Sequence, residues 1–202
     1  MKVVVVGSSG TIGKAVTQLL KDKGHEVVEV SRSTKPGVNI MDSSSIENFY
    51  SSLGEVDAII CAAGDAAAAP LDKLTNEQIQ LSINSKLLGQ VNMVRKGLSN
   101  VRPNGVFVIT GGMLAYTPWP QTSIITTVNA GLEGFAKAAA LDLTDGRRIV
   151  IVHPPWIAET AAKLGMDATP WPNAAKAAEA YLEALEGNMN GEPVFVEGYK
   201  PS

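Results

Sequence analysis

The feature that most constrains this chain is its opening. Val3-Val4-Val5-Val6 runs straight into Gly7-Ser8-Ser9-Gly10-Thr11-Ile12-Gly13, and Ile12, Ala15, Val16, Leu19 and Leu20 then recur at helical spacing up to Gly24. A β-branched run without polar interruption predicts a strand buried on both faces. The i, i+3, i+4, i+7, i+8 pattern predicts an amphipathic helix, with Gly24 just past its end. Between them lies G-x-x-G-x-x-G. A turn from a buried strand into a helix leaves first-turn N–H groups without partners, and glycines let that backbone approach a pyrophosphate closely. Such a pattern alone is weak, but here a strand precedes it and a helix follows, as a phosphate-binding turn requires. Gly7, Ser9, Gly10, Thr11, Ile12 and Gly13 are the expected cradle.

Strand and helix signals alternate through the rest of the chain. Strands are expected at Val27–Val30, Val38–Ile40, Val56–Ala63, Val106–Thr110, Arg148–Val152 and Val194–Val196. Helices are expected from the Asp42 and Ser43–Ser45 caps to Leu53, from Thr75 to about Leu98, from Val128 to Leu143, and from Ala174 to Leu185 behind an Asn173 cap. This alternation predicts a single α/β domain over residues 1–202, a Rossmann-like doubly wound parallel sheet with helices on both faces. A chain of 202 residues, 45% hydrophobic, can bury a full core and is not disordered. No apolar run approaches the roughly 20 residues of a membrane span, and Val3–Val6 is too short for a signal-peptide core. A net charge of −3 with no basic block argues against nucleic acid. Cys61 is the one cysteine, so no internal disulfide forms, and two histidines, His25 and His153, make a metal site an unwarranted expectation. The expectation is a soluble cytoplasmic protein with a small-molecule partner, no nucleic acid and no membrane.

The second strand ends Val30-Ser31-Arg32-Ser33-Thr34. An acid about 20 residues past the glycines would hold the ribose hydroxyls of NAD. Ser31 stands there instead, followed by Arg32 and Ser33. A guanidinium between two hydroxyls suits a 2′-phosphate, so NADP(H) is favoured over NAD(H). Two plainer readings remain: Arg32 as a solvated loop charge, and Glu29 as a ribose contact.

With these motifs the chain resembles a short-chain dehydrogenase/reductase along nearly all its length. Asp42 resembles the family acid that meets the adenine. Cys61-Ala62-Ala63-Gly64 resembles the Asn-Asn-Ala-Gly that closes the fourth strand, and Leu87-Leu88-Gly89 lies in the next helix as the family has it. Asn129-Ala130-Gly131-Leu132-Glu133-Gly134-Phe135-Ala136-Lys137 resembles the helix that begins at the catalytic lysine. His153-Pro154-Pro155-Trp156-Ile157, then Thr160, resembles the segment that contacts nicotinamide. The resemblance implies a cofactor set that includes Asp42, Ala62, Ala63, Gly64, Thr110, Pro154, Ile157 and Thr160. It also implies self-association, as a dimer or tetramer, through the small-residue helices around Ser85–Leu98 and Ala130–Leu143. The chain is shorter than a typical member, with the shortening expected between Thr160 and Asn173.

The family reduces carbonyls with a Tyr-x-x-x-Lys pair, an upstream Ser and an Asn on the preceding helix. Here the matching positions are Ile125, Asn129, Gly112 and Lys86. An alkyl group donates no proton. Two changes are reciprocal: Asn has become Lys at 86, and Lys has become Asn at 129. Lys86 and Asn129 are therefore the candidate catalytic pair, with the plainer alternative of a surface lysine and a helix N-cap asparagine. Tyr116 has the wrong spacing for the missing phenol and reads better as a loop aromatic. Cys61 reads as a buried small hydrophobe, His25 as structural, and His153 either orients substrate or closes its strand. Trp119, Trp156 and Trp171 with Met113 and Met166 form either an apolar substrate lid or packing. Two functions follow: an NADP(H)-dependent oxidoreductase on a small carbonyl or alcohol with an altered site, or an NADP(H)-binding sensor or regulatory protein without turnover.

Overall fold

The computed structural model describes residues 1–201. Its strands are β1 (Lys2–Val6), β2 (Glu26–Val30), β3 (Val56–Cys61), β4 (Val101–Thr110), β5 (Arg148–His153) and β6 (Pro193–Phe195). All pair in parallel, in the spatial order β2-β1-β3-β4-β5-β6. The helices are α1 (Thr11–Asp22), α2 (Ser43–Leu53), α3 (Asn76–Ser82), α4 (Gly89–Lys96), α5 (Ser123–Asp142), α6 (Ala158–Lys163) and α7 (Ala174–Glu186). The expected fold class, a Rossmann-like doubly wound parallel sheet, is what forms.

The two-residue period of the strands builds the layers. Val3, Val5, Ile60, Val108 and Val150 face α1 and α7, where Val16, Leu20, Tyr181 and Leu185 close the core. Val4, Val6, Ile59, Phe107 and Ile151 face the other way, onto Ile46 and Phe49 of α2, Met93 of α4 and Leu132 of α5. Successive strands of β1 to β5 are in step at their carboxyl ends, pairing Val6 with Val30 and Cys61, Cys61 with Ile109, and Thr110 with Val152. Because β1 sits between β2 and β3, helices leave its neighbourhood on opposite faces and open a crevice there, where ligands bind in such sheets.

Several boundaries differ from the sequence expectation, β4 starting at Val101 rather than Val106 among them. Val38–Ile40 forms no strand: Val38 bonds to the Ser31 carbonyl at 3.0 Å, and the chain then turns through Asn39, whose side chain accepts from Met41 and whose carbonyl accepts from Asp42. Both apolar side chains are still buried. β3 stops at Cys61, leaving Ala62 and Ala63 in the turn. α5 starts at Ser123, so Asn129 lies inside the helix and caps nothing. The Thr75–Leu98 region is not one helix: a capping box at Thr75 and Gln78 opens α3, residues Ile83–Leu88 widen into a π-helical stretch, and α4 follows. Such wide turns often accompany functional sites. α6 was not foreseen, and Ala158–Lys163 is short enough to leave little periodic signal.

The end of β4 is pinned by a buried amide. The Gln90 side chain accepts from the Thr110 N–H and donates to the Thr110 carbonyl, both at 2.8 Å. Gln90→Ala removes both buried bonds and is expected to lower unfolding free energy by about 2–4 kcal/mol, read from urea denaturation. A loss below about 1 kcal/mol would show that the backbone of Thr110 has other support.

Candidate functional site

Two adjoining clefts run along the carboxyl ends of the strands and share Ala62, Gly64 and Asp65. The smaller, about 240 Å³, spans Gly7, Ser9, Gly10, Ser31, Arg32, Asn39, Met41 and Ala63. The larger, about 560 Å³, takes in Ile12, Lys86, Thr110, Ile125, Asn129, Pro154, Ile157, Thr160 and the three tryptophans. Of the sequence-derived cofactor residues, Thr11, Gly13, Ser33 and Asp42 line neither cleft.

The glycine turn is built from close approaches. Gly7, at φ +90°, lies where an added Cβ would come 2.7 Å from the Ala62 carbonyl oxygen. At Gly13 the same atom would sit 2.0 Å from the Gly7 carbonyl oxygen, so Gly13 lets α1 pack onto the turn rather than touching a ligand. Gly10 is the N-cap of α1; no side chain caps this end, and its first turn carries no acid. Its N–H dipoles are thus aimed at the shared crevice without a built-in anion.

Asp42 is the helix cap that its place before Ser43–Ser45 predicts. Its carboxylate accepts from Ser44 N–H at 2.9 Å and caps α2. Of the segment around it, Asn39 is the polar residue that lines the smaller cleft. Ser33 belongs to the turn itself, its N–H donating to Ser31 Oγ at 3.2 Å. Thr110 reaches the larger cleft, but its hydroxyl is engaged: it donates to the Cys61 carbonyl at 2.7 Å and lies 2.9 Å from the Tyr181 hydroxyl.

Lys86 lies in the π-helical stretch and lines the larger cleft, its Cδ packed where a Gly64 Cβ would be 3.2 Å away. Burial holds its pKa down to about 8, offset in part by Cys61 and Asp65 nearby. Among the described residues its ammonium has no ion pair or hydrogen bond. Asn129 is buried, and its Oδ1 has no hydrogen-bond partner. Its Nδ2 would lie 2.8 Å from a Cβ at Gly112. The space that a serine would need at position 112 is therefore taken by the Asn129 amide.

Ile125 faces the larger cleft. Tyr116 does not replace it: its hydroxyl donates to Glu133 Oε2 away from the cleft, and burial with that carboxylate pushes its pKa up. His153 is buried, with Nδ1 at 3.1 Å from the Gly112 nitrogen and 3.0 Å from the Gly112 oxygen, so it props the turn rather than touching the cleft. Burial pushes the Cys61 thiol up to about 11, which keeps it protonated. Trp119 stacks on Trp156 (6.0 Å between ring centroids, 29°) and meets Trp171 at 5.6 Å; all three line the cleft with Met113, whereas Met166 does not.

Sequence reading missed Gln90, Tyr181, Ser82 and Ser85. Ser85 Oγ accepts from Asp65 N–H and Ser82 Oγ from Ala67 N–H, each at 2.9 Å, fixing the loop that floors the cleft. Their three-residue spacing on one helix face was the only available signal.

Residues 6–184 match the family model described as enoyl-(acyl carrier protein) reductase. The chain belongs to the short-chain dehydrogenase/reductase family of oxidoreductases. It is 35% identical to the crystal structure of the protein lin1944 from Listeria innocua, with a TM-score of 0.90 over 97% of this chain and 99% of that one. A small-chain dehydrogenase solved in complex with NADPH is 25% identical, with a TM-score of 0.87 over 98% of this chain and 97% of that one. A 3-ketodihydrosphingosine reductase of Bacteroides thetaiotaomicron is 23% identical over 155 residues, and the chain spans only 58% of its length. No helix among the described residues is long and apolar enough to cross a membrane.

An ammonium without a partner, partly desolvated where it lines a cleft, destabilises the fold that holds it. Because the folded pKa of about 8 lies below the ordinary 10.5, the penalty is full below pH 8 and fades toward pH 10.5. Lys86→Met is expected to stabilise the protein at pH 7 by at most about 3 kcal/mol. That gain should close between pH 8 and 10.5 in thermal denaturation. A pH-independent difference would mean that the lysine is hydrated.

Proposed function

We propose that this chain is an NADP(H)-dependent oxidoreductase acting on a small carbonyl or alcohol compound, with Lys86 and Asn129, at the family's asparagine and lysine positions, as its catalytic pair. The observation that carries this reading is the continuous groove from Arg32 to the tryptophans, passing an uncapped helix N-terminus and the orphaned Oδ1 of Asn129. A bound nicotinamide coenzyme would supply or accept hydride there. Gly7, Ser9, Gly10, Thr11 and Ile12 would hold its pyrophosphate, and Ser31 and Arg32 a 2′-phosphate. Asn39 and Ala63 border the adenosine end. Asn129 Oδ1 fits a ribose hydroxyl donor, which would satisfy an otherwise unpaired buried acceptor. Lys86 supplies the positive charge near that ribose, and at its lowered pKa it exchanges a proton readily around neutral pH. Pro154, Ile157 and Thr160 border the nicotinamide end.

A second reading, coenzyme binding without turnover, is favoured by Ile125 at the proton-donor position. NADPH oxidation across a panel of carbonyl compounds separates the two: turnover above that of a Gly7→Asp variant supports the enzyme, while its absence with tight NADPH binding supports the sensor.

Arg32→Ala is expected to weaken NADPH binding about 10- to 100-fold, the loss of one charged hydrogen-bonding group, and to change NADH binding less than threefold. Calorimetry with both coenzymes checks this. An equal loss for both would make Arg32 a general phosphate contact, and no loss would make it a solvated loop charge.

A further inference from the structure

We propose that His153 is a proton-operated positioning residue: neutral, it holds the Gly112 turn against the larger cleft, and protonated, it releases that turn. The switch stands on the contacts of the ring; its effect on coenzyme binding rests on the reading above and deepens it.

The first support is where the ring lies. His153 is fully buried at the end of β5. Its Nδ1 is 3.1 Å from the Gly112 nitrogen and 3.0 Å from the Gly112 oxygen. Gly112 is extended (φ 168°, ψ 149°), which turns its own N–H and C=O to the same side, so one ring atom meets both. That atom serves only one of them at a time: as a lone pair it accepts from the N–H, and as an N–H it donates to the carbonyl. The ring has no room to withdraw. A Cβ at Gly111 would lie 2.6 Å from its Cε1, and Phe195 stacks on it with ring centroids 5.8 Å apart.

The second support is the other ring nitrogen. Nε2 is buried without a hydrogen-bond partner and lies 3.5 Å from Glu133 Oε2. Glu133 accepts from Lys137 Nζ at 2.6 Å and from the Tyr116 hydroxyl, so it faces the ring as a carboxylate. That carboxylate would repel a lone pair on Nε2. The neutral ring therefore carries its proton on Nε2 and accepts from the Gly112 N–H at Nδ1. A second proton enters only at Nδ1, where it points at the Gly112 carbonyl and leaves the Gly112 N–H facing another N–H. The other charged or titratable groups around the ring are Tyr116, edge-on at 5.3 Å, Lys137 and Lys86, while β6 contributes the Phe195 ring.

The consequence falls on the cleft. Gly112, Met113 and Leu114 line it, and Asn129 Nδ2 would lie 2.8 Å from a Cβ at Gly112. A Gly112 turn held by the neutral ring keeps the Asn129 amide in place, with its unpartnered Oδ1 open to a ribose hydroxyl. Burial pulls the His153 ring below its ordinary 6.5. The hold is therefore complete at neutral pH and is lost as pH falls below 6.5.

Nitrogen-15 NMR of the full chain tests the switch without any ligand. The chain has two histidines, and a His25→Gln variant assigns their ring signals. His153 is expected as the Nε2–H tautomer at pH 8, and the Gly112 amide is expected to shift with the same midpoint as the ring. An Nδ1–H tautomer, a Gly112 amide that ignores the ring, or a ring that stays neutral down to acid unfolding overturns the proposal. Calorimetry reads the effect on NADPH. His153→Asn puts a carbonyl oxygen that does not titrate in place of Nδ1. Between pH 7.5 and 5.5 the wild type is expected to lose about tenfold more NADPH affinity than this variant, the loss of one backbone bond. Titration of the 2′-phosphate is common to both proteins and cancels. Equal losses overturn the link to binding, and the wild-type NMR decides the switch even where the variant does not fold. NADPH bound at no pH overturns the coenzyme reading and leaves the coupling of ring and Gly112 standing.

Discussion

The site depends on how closely two pieces of backbone can approach. The turn after β1 comes so near the end of β3 that no side chain fits at Gly7, and α1 comes so near the turn that none fits at Gly13. This contact draws α1's uncapped N-terminus into the crevice and sets the Ala62–Gly64 segment as the floor shared by both clefts. Lys86 then lies across Gly64, a position with φ +128° where its own backbone leaves little room for anything larger than glycine. The two clefts are thus held by one piece of packing.

Around Gly112 the side chains form a coupled set. The Asn129 amide fills the space at Gly112, the Gly112 backbone rests on the buried His153 ring, and His153 Nε2 lies 3.5 Å from Glu133, which receives the Tyr116 hydroxyl. A serine placed at 112 would collide with Asn129. Gly112, Asn129, His153 and Glu133 are therefore packed as one unit.

Much of this was legible in the sequence where a strong period or a steric rule decided it. The uninterrupted valines of β1 and the glycine spacing placed the tight turn into α1, and the alternation of elements placed the sheet. Reading failed where the signal was local and the decision tertiary. Val38 and Ile40 look like a strand because burial demands apolar residues there, yet the Asn39 turn withdraws their backbone from the ladder. Asp42, by contrast, was legible as a helix cap, and its oxygen serves that helix end. Lys86 could be named from its position but not its surroundings: only the π-helical stretch and the fold around it show that its ammonium lacks a partner.

The most direct measurement is a crystal structure of the protein with NADPH bound. The account predicts the pyrophosphate against the backbone of Gly10 to Ile12, with Lys86 Nζ and Asn129 Oδ1 both within hydrogen-bond distance of the nicotinamide ribose. A pyrophosphate bound elsewhere, or a hydroxyl of Tyr116 swung over the nicotinamide ring, would contradict it.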